Sequence, residues 1–287
     1  MATGRKAARR AAPAKARILT APAPGRHHLM LWAAALLTPA VFLAPAGFVS
    51  SRGYSGESEL VAASESAFVR ADVSGPLADS QALAELTALW REFHLVKAVI
   101  AGLLVLALVG LASTTSRRAE AAPRGRRRRL LLSVYGGVVA WLLGALTVLL
   151  ANVQGAAAPF ASVASLLPTG HGTGGLEVVL SHLRGAVASG TPSPTGGLAS
   201  QLLADFTLYQ AVFAVMAAAT GGLLSAVTLR AVWRRWRLRG SDRSPRPTWL
   251  VQTIVYGAAG GLFLLLALAN VSTWPHPVPA LLASLGG

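Results

Sequence analysis

Residues 250–271 read LVQTIVYGAAGGLFLLLALANV, a run of 22 residues without one charged side chain. A helix rises about 1.5 Å per residue, so about 20 such residues cross a hydrocarbon core of about 30 Å. Lipid offers no hydrogen-bond partner to the backbone, so a chain that crosses it must satisfy its own N–H and C=O groups as a helix. This stretch therefore predicts a transmembrane helix.

Four further windows have the same character. Residues 29–49, 130–151 and 206–229 carry no charge, and residues 95–113 carry one cation, Lys97, near the end of the window. The long stem of a lysine there reaches the interface. The chain is 53% hydrophobic and 13% charged, whereas soluble domains carry about a quarter charged residues. The sequence predicts an all-α integral membrane protein with about five transmembrane helices.

Basic residues are sorted between the two sides of these windows. Segments 1–28, 114–129 and 230–249 together hold 21 of the 26 Lys and Arg residues, whereas segments 50–93 and 152–205 hold 4. Cytoplasmic loops are the ones enriched in Lys and Arg, which predicts a cytoplasmic N-terminus and an external C-terminus. Heavy use of Ala, Gly and Arg is typical of a GC-rich bacterial genome, so we expect the bacterial cytoplasmic (inner) membrane.

This topology divides the chain into seven segments. They are a basic disordered cytoplasmic tail (1–28), a first transmembrane helix (29–49), an acidic external segment (50–93), a first helical hairpin (94–151) around the Arg-rich loop 114–129, a Gly-rich external segment (152–205), a second helical hairpin (206–271) around the Arg-rich loop 230–249, and an external tail (272–287).

The first span has an alternative interpretation. It follows a basic leader and ends in Ala44-Pro45-Ala46, which resembles an Ala-x-Ala cleavage site. Cleavage there would remove residues 1–46. The proline within the site and the 21-residue apolar length of the window favour an uncleaved anchor.

Spans two and three resemble spans four and five. The matching motifs recur in the same order on the same side of the membrane, which predicts a parallel internal repeat, a four-helix bundle and a first span packed outside it. Small residues should mark close helix contacts. The matches are Glu92-Phe93-x-Leu95 with Asp205-Phe206-x-Leu208, Ala98-Val99 with Ala211-Val212, Val134-Tyr135-Gly136 with Val255-Tyr256-Gly257, and Ala151-Asn152-Val153 with Ala269-Asn270-Val271; the expected contact glycines are Gly136, Gly137, Gly144, Gly221, Gly222, Gly257, Gly260 and Gly261.

Hydrophobic periodicity predicts three helices in the external segments. Residues 77–93 read as an amphipathic helix that lies at the interface or runs into the second span. Residues 57–69 and 176–187 read as short helices, and Pro192 and Pro194 lie in a run typical of a linker. A Pro-containing, weakly apolar tail follows each copy of the repeat, at 159–168 and at 275–287.

Polar residues collect at the external ends of the spans. The repeat makes Glu92 equivalent to Asp205 and Asn152 equivalent to Asn270, so these pairs could face each other in a shallow vestibule for a small ion or polar solute. The alternative is that they cap helix ends or lie at the interface. The candidate residues are Glu92, His94, Lys97, Asn152, Asp205 and Asn270.

The arginine clusters allow two interpretations. Arginines at the ends of spans fix orientation and contact anionic lipid heads, or they could contact a cytoplasmic partner. Long apolar runs between the clusters argue against nucleic acid. The residues concerned are Arg126, Arg127, Arg128, Arg129, Arg234, Arg235 and Arg237.

No motif in the sequence specifies a reaction. The absence of cysteine excludes disulfides and thiolate sites, and no H-E-x-x-H, P-loop or G-x-S-x-G pattern occurs. None of the six histidines lies inside a window, and His94 is the one that directly precedes a hairpin span, so we expect neither a metal, a haem nor another cofactor. Three classes remain: a non-enzymatic accessory or scaffold subunit bound to another membrane or envelope protein, a small transporter or channel component, and, least supported, a membrane enzyme.

Overall fold

The computed structural model describes residues 25–71, 75–167, 174–189, 197–238 and 248–286. The predicted basic tail before residue 25, the Pro192 and Pro194 linker and most of the loop after Arg237 lie outside these ranges. In the described part of the chain every regular element is helical. The helices are α1 (Gly25–Ser51), α2 (Glu57–Arg70), a 3-10 turn (Leu77–Asp79), α3 (Gln81–Ala121), α4 (Arg126–Ala157), α5 (Pro159–Ala164), α6 (Gly175–Ser189), α7 (Leu198–Leu238), α8 (Trp249–Thr273) and α9 (Pro277–Ser284).

Five helices, α1, α3, α4, α7 and α8, are long and apolar enough to cross a membrane. Each contains one of the five windows found in the sequence, which confirms an all-α integral membrane protein with five spans. Helices α3 and α7 are each 41 residues long, about 60 Å at 1.5 Å per residue. They therefore extend well beyond the hydrocarbon core.

The spans pack as a row rather than as a closed bundle. Helix α1 packs on α3, α3 on α4, and α7 on α8, while a much narrower contact between α4 and α7 joins the two hairpins. The first span does lie outside the hairpins, as expected. At its start, Met30 lies against Gly110 and His27 is 3.1 Å from the Thr114 hydroxyl.

Besides the core between the spans, a separate hydrophobic core lies at the end of the row where α3 and α7 begin. Helices α2, α5, α6 and α9 pack there against the first turns of α3 and α7, and we call this layer the cap; the opposite end is the arginine face. The expected helices at 57–69 and 176–187 are α2 and α6. The segment at 77–93 runs into the span, with its α-helix beginning at Gln81. Buried side chains of the cap core include Phe68, Leu83, Trp90, Phe160, Leu180, Leu183, Leu198, Leu202 and Leu281.

Helices α5 and α9 were not anticipated. Both begin with a proline near the first helical position, where the missing N–H costs nothing. Each follows a hairpin of the expected repeat, α5 after α4 and α9 after α8. The repeat itself stays a prediction.

Only part of the glycine prediction holds. Helices α7 and α8 touch backbone to backbone at Gly221 and Gly260: a Cβ on Gly221 would lie 2.9 Å from the Gly260 carbonyl oxygen. Gly257 lies beside Thr228. The other predicted glycines have open space around their Cβ positions and mark no helix contact; they are Gly136, Gly137, Gly144, Gly222 and Gly261.

Candidate functional site

A hydrogen-bond network joins the cap to the spans around His94. The ring Nδ1 of His94 on α3 lies 2.9 Å from Asn152 Oδ1 on α4, and its Nε2 lies 3.0 Å from Ser162 Oγ on α5. Trp90, one turn earlier on α3, donates its indole N–H to the same Ser162 oxygen at 2.9 Å. Three helices therefore meet at one imidazole.

The donor and the acceptor of each bond follow from the other hydrogen bonds that Asn152 and Ser162 make. Asn152 donates its amide N–H to the Val148 carbonyl at 2.7 Å, so its Oδ1 accepts from His94 Nδ1–H. Trp90 can only donate, so Ser162 accepts from it and donates its hydroxyl hydrogen to His94 Nε2. The network holds His94 as the neutral tautomer protonated at Nδ1, with both ring nitrogens engaged inside the protein.

Close packing fixes the imidazole as well. A Cβ on Gly155 would lie 2.7 Å from the His94 ring, so position 155 has no room for any side chain. Trp90 and Phe93 lie edge-on to the His94 ring, with centroids 5.0 and 5.5 Å away. Ser162 and Asn152 are buried, which keeps this polar group away from water and raises the cost of breaking it.

Asp205 on α7 also binds the short helix α5. Its Oδ2 on α7 accepts the Ala161 N–H at 2.8 Å. An acidic group at the start of a helix satisfies unpaired N–H groups and opposes the positive end of the helix dipole. Helix α5 is thereby bonded to α3 through Ser162 and to α7 through Ala161, and His94 links the same group to α4 through Asn152.

The remaining candidates point elsewhere. Glu92 forms an exposed salt bridge with Arg52 at 2.8 Å, the Lys97 ammonium lies 5.1 Å from the centroid of the Phe93 ring, and Asn270 donates to the Leu266 carbonyl of its own helix at 2.9 Å. The expected facing of Glu92 with Asp205 and of Asn152 with Asn270 is not seen. The repeat-equivalent residues have different neighbours: Asn152 bonds to His94, whereas Asn270 bonds to its own helix.

Further polar contacts stabilise the cap. Arg184 on α6 pairs with Glu177 at 2.9 Å and donates to the Leu285 carbonyl at 2.6 and 3.0 Å, which ties α6 to the end of α9. At the start of α2 the backbone and hydroxyl of Ser55 both donate to Glu59. These bonds lower the pKa of the Glu59 carboxyl below its ordinary value.

Sequence reasoning found His94, Asn152 and Asp205 but missed Ser162 and Trp90. Pro159 could have indicated a helix start, and a serine three residues later lies on its first turn. No group of three His, Asp or Glu residues in the described ranges is arranged to hold a metal. Both His94 nitrogens bond to protein groups, and the contacts of the site hold α5 against α3 and α7 and reach α4. We call this hydrogen-bonded group of Trp90, His94, Asn152, Ser162 and Asp205 the joint.

The fold and this joint define a multi-pass helical membrane protein with a folded cap. Compared with known proteins, the chain matches no family model, no curated sequence and no solved structure.

Proposed function

We propose that this protein is a non-enzymatic accessory or scaffold subunit that binds another membrane or envelope protein through its cap. The proposal rests on the outward face of α6. Val178 on this face is 55% exposed. The rest of the face is small or uncharged: Ser181, His182, Gly185 and Ala188 are also exposed.

The charged residues of α6 bond to other groups of the cap. Glu177 and Arg184 pair with each other, and Arg184 also bonds the Leu285 carbonyl. A helix that faces only water normally carries charged residues on its outer face. Depletion of charge is typical of the buried centre of a protein interface. The outer face of α6 therefore resembles a docking surface more than a solvated one.

The joint at His94 supports the same interpretation. Its polar groups bind one another or the backbone of α4 and α5, and they attach the cap to the spans. A rigid layer fixed at several points presents a preorganised surface, which reduces the entropy cost of binding.

Site-specific photo-crosslinking tests the proposal. A photoreactive residue at Val178 or Ala188 should crosslink in native membranes to one and the same partner, and the full-length protein should co-purify with that partner at a fixed ratio. The matched control places the photoreactive residue at Leu265 of α8, which is 65% exposed on the span; it should crosslink only to lipid.

A charge on the docking face gives a second readout. Val178→Glu with Gly185→Glu should abolish co-purification, because it places two charges on the uncharged face. The variant should still fold, since a Cβ at Gly185 meets nothing within 4 Å. The control is Ala62→Glu on the exposed side of α2. Recovery of the chain without a partner, together with solute flux in proteoliposomes that contain it alone, would overturn the scaffold and favour a small transporter.

A further inference from the structure

The last turns of α7 carry exposed arginines and tryptophans beyond the apolar part of the span. Arg230, Arg234 and Arg237 are exposed, and Trp233 and Trp236 are 51% and 63% exposed. This segment lies where the span leaves the hydrocarbon core, at the depth at which tryptophan and arginine meet lipid headgroups.

Helix geometry sorts these side chains into two strips. Successive residues turn by about 100°, so Arg230, Arg234 and Arg237 fall within about 60° of one another. The neighbouring strip is apolar and is equally narrow. It consists of Leu229, Trp233 and Trp236 and points away from the buried Ala231, while the arginine strip lies about 60–120° from Ala231 around the helix.

One arginine of the strip is held in place by stacking on a tryptophan. The Arg237 guanidinium carbon lies 3.8 Å from the centroid of the Trp233 ring. A guanidinium stacked on a ring keeps its edge N–H groups available, and their fork matches the oxygens of a phosphate. Arg235 does not belong to the strip, because it stacks at 3.8 Å on Trp249 of α8 and joins the two spans.

The strips border a shallow depression lined by both kinds of side chain. Its walls are Leu229, Arg230, Val232, Trp233 and Trp236. The sequence has no acid anywhere from 206 to 238, so nothing on this stretch of α7 neutralises the arginines. The positive charge favours an anionic ligand, and the adjoining apolar strip favours a ligand that also has a hydrocarbon part.

We propose that this surface binds an anionic phospholipid of the surrounding leaflet. Its phosphate lies on Arg230, Arg234 and Arg237, its glycerol backbone lies against Trp233 and Trp236, and its first acyl segments begin at Leu229.

The four consecutive arginines of α4 make a different arrangement. Arg126 to Arg129 occupy the first turn of the helix, so at about 100° per residue they point to all sides. They raise the local positive potential but share no single face. This cluster provides a control of equal charge.

Native mass spectrometry of the full-length protein measures the binding. Anionic phosphatidylglycerol and cardiolipin, zwitterionic phosphatidylcholine and inorganic phosphate are titrated separately. The wild type should retain the anionic lipids and neither of the other two. Arg230→Gln with Arg234→Gln and Arg237→Gln should weaken anionic-lipid binding at least about tenfold, given the contribution of each arginine near anionic lipid.

The control exchanges the same number of charges on α4: Arg126→Gln, Arg127→Gln and Arg129→Gln. It should change binding less than about twofold, because only the α7 arginines share a face. Equal losses in the two triple variants would show diffuse charge and overturn the site. Inorganic phosphate binding as tightly as lipid would overturn the lipid assignment.

A second variant separates binding from folding. Trp233→Leu with Trp236→Leu keeps every charge and removes the stacking of Arg237. It should lower anionic-lipid binding while helix content and monodispersity stay at wild-type values. Unchanged lipid binding in this variant would refute the role of the tryptophan strip.

Discussion

The hydroxyls of Tyr135 and Tyr256 lie 3.4 Å apart in the protein interior. One residue belongs to α4 and the other to α8, and both are buried. They are also the residues that the expected repeat makes equivalent. Two copies related by an axis along the membrane normal would bring equivalent residues together at that axis, as in this pair, but Asn152 and Asn270 have different neighbours and the repeat stays a prediction.

Removing either hydroxyl should lower the free energy of unfolding only slightly, and the two losses should be non-additive. At 3.4 Å the bond is longer than the usual O–H···O distance, so we expect Tyr135→Phe and Tyr256→Phe each to destabilise by less than about 1 kcal/mol. The double variant should be about as stable as either single one. A double-mutant cycle of detergent-induced unfolding measures this, and fully additive losses would show that the hydroxyls do not interact.

Alanine at the α7–α8 crossing should separate two helices. A Cβ at Gly221 would lie 2.8 Å from Leu264 Cγ, and one at Gly260 would lie 2.9 Å from Ser225 Oγ. Overpacking of this kind costs about 1–3 kcal/mol, so Gly221→Ala and Gly260→Ala should lower the unfolding midpoint.

The adjacent glycines are the controls for that experiment. A methyl group added at Gly222 or Gly261 would meet nothing within 4 Å. Gly222→Ala and Gly261→Ala should leave stability unchanged or raise it slightly, because alanine favours a helix over glycine by about 1 kcal/mol. Similar losses in all four variants would contradict the crossing described above.

Alanine at Gly155 should loosen the cap without touching its core. The methyl group needs the space of the His94 ring, so it should break the bonds to Asn152 and Ser162. Since the natural chain has no cysteine, Val163→Cys on the buried face of α5 gives one label site. We expect a thiol reagent to label it faster in Gly155→Ala than in the wild-type background.

A matched change at Gly144 checks that result. This glycine lies on the same helix with open space around it, so Gly144→Ala should not alter labelling at residue 163. If labelling is equally slow in all three backgrounds, the joint does not control α5.

Membrane orientation can be measured with the same cysteine-free chain. Val178→Cys is on the cap and Arg124→Cys is in the loop between α3 and α4, and both positions are exposed. The arginine distribution predicts that an impermeant reagent labels residue 178 in intact cells and residue 124 only after permeabilisation. The opposite pattern would reverse the predicted topology.

The spans were predictable because a run of about 20 uncharged, mostly apolar residues is long enough to cross a bilayer and is rare in soluble chains. Helices α2 and α6 were predictable from their period, whereas α5 and α9 have only six and eight residues, too few to show one. Gly221 and Gly222 are neighbours in sequence, and only the side on which α8 packs distinguishes them. Within the joint, His94 and Asn152 stood out as polar residues near span ends, but Ser162 lies 68 residues from His94 and no local pattern pairs them.

Helices α3 and α7 are continuous from the cap to the arginine face, and neither contains a proline. Proline is a frequent cause of sharp kinks, and without it each helix keeps one continuous run of about 60 Å. Each helix therefore joins the cap on one side of the span directly to the arginine face on the other, α7 with its Trp233 and Arg237 end. We expect a tilt imposed on the cap end of such a helix to reach its opposite end.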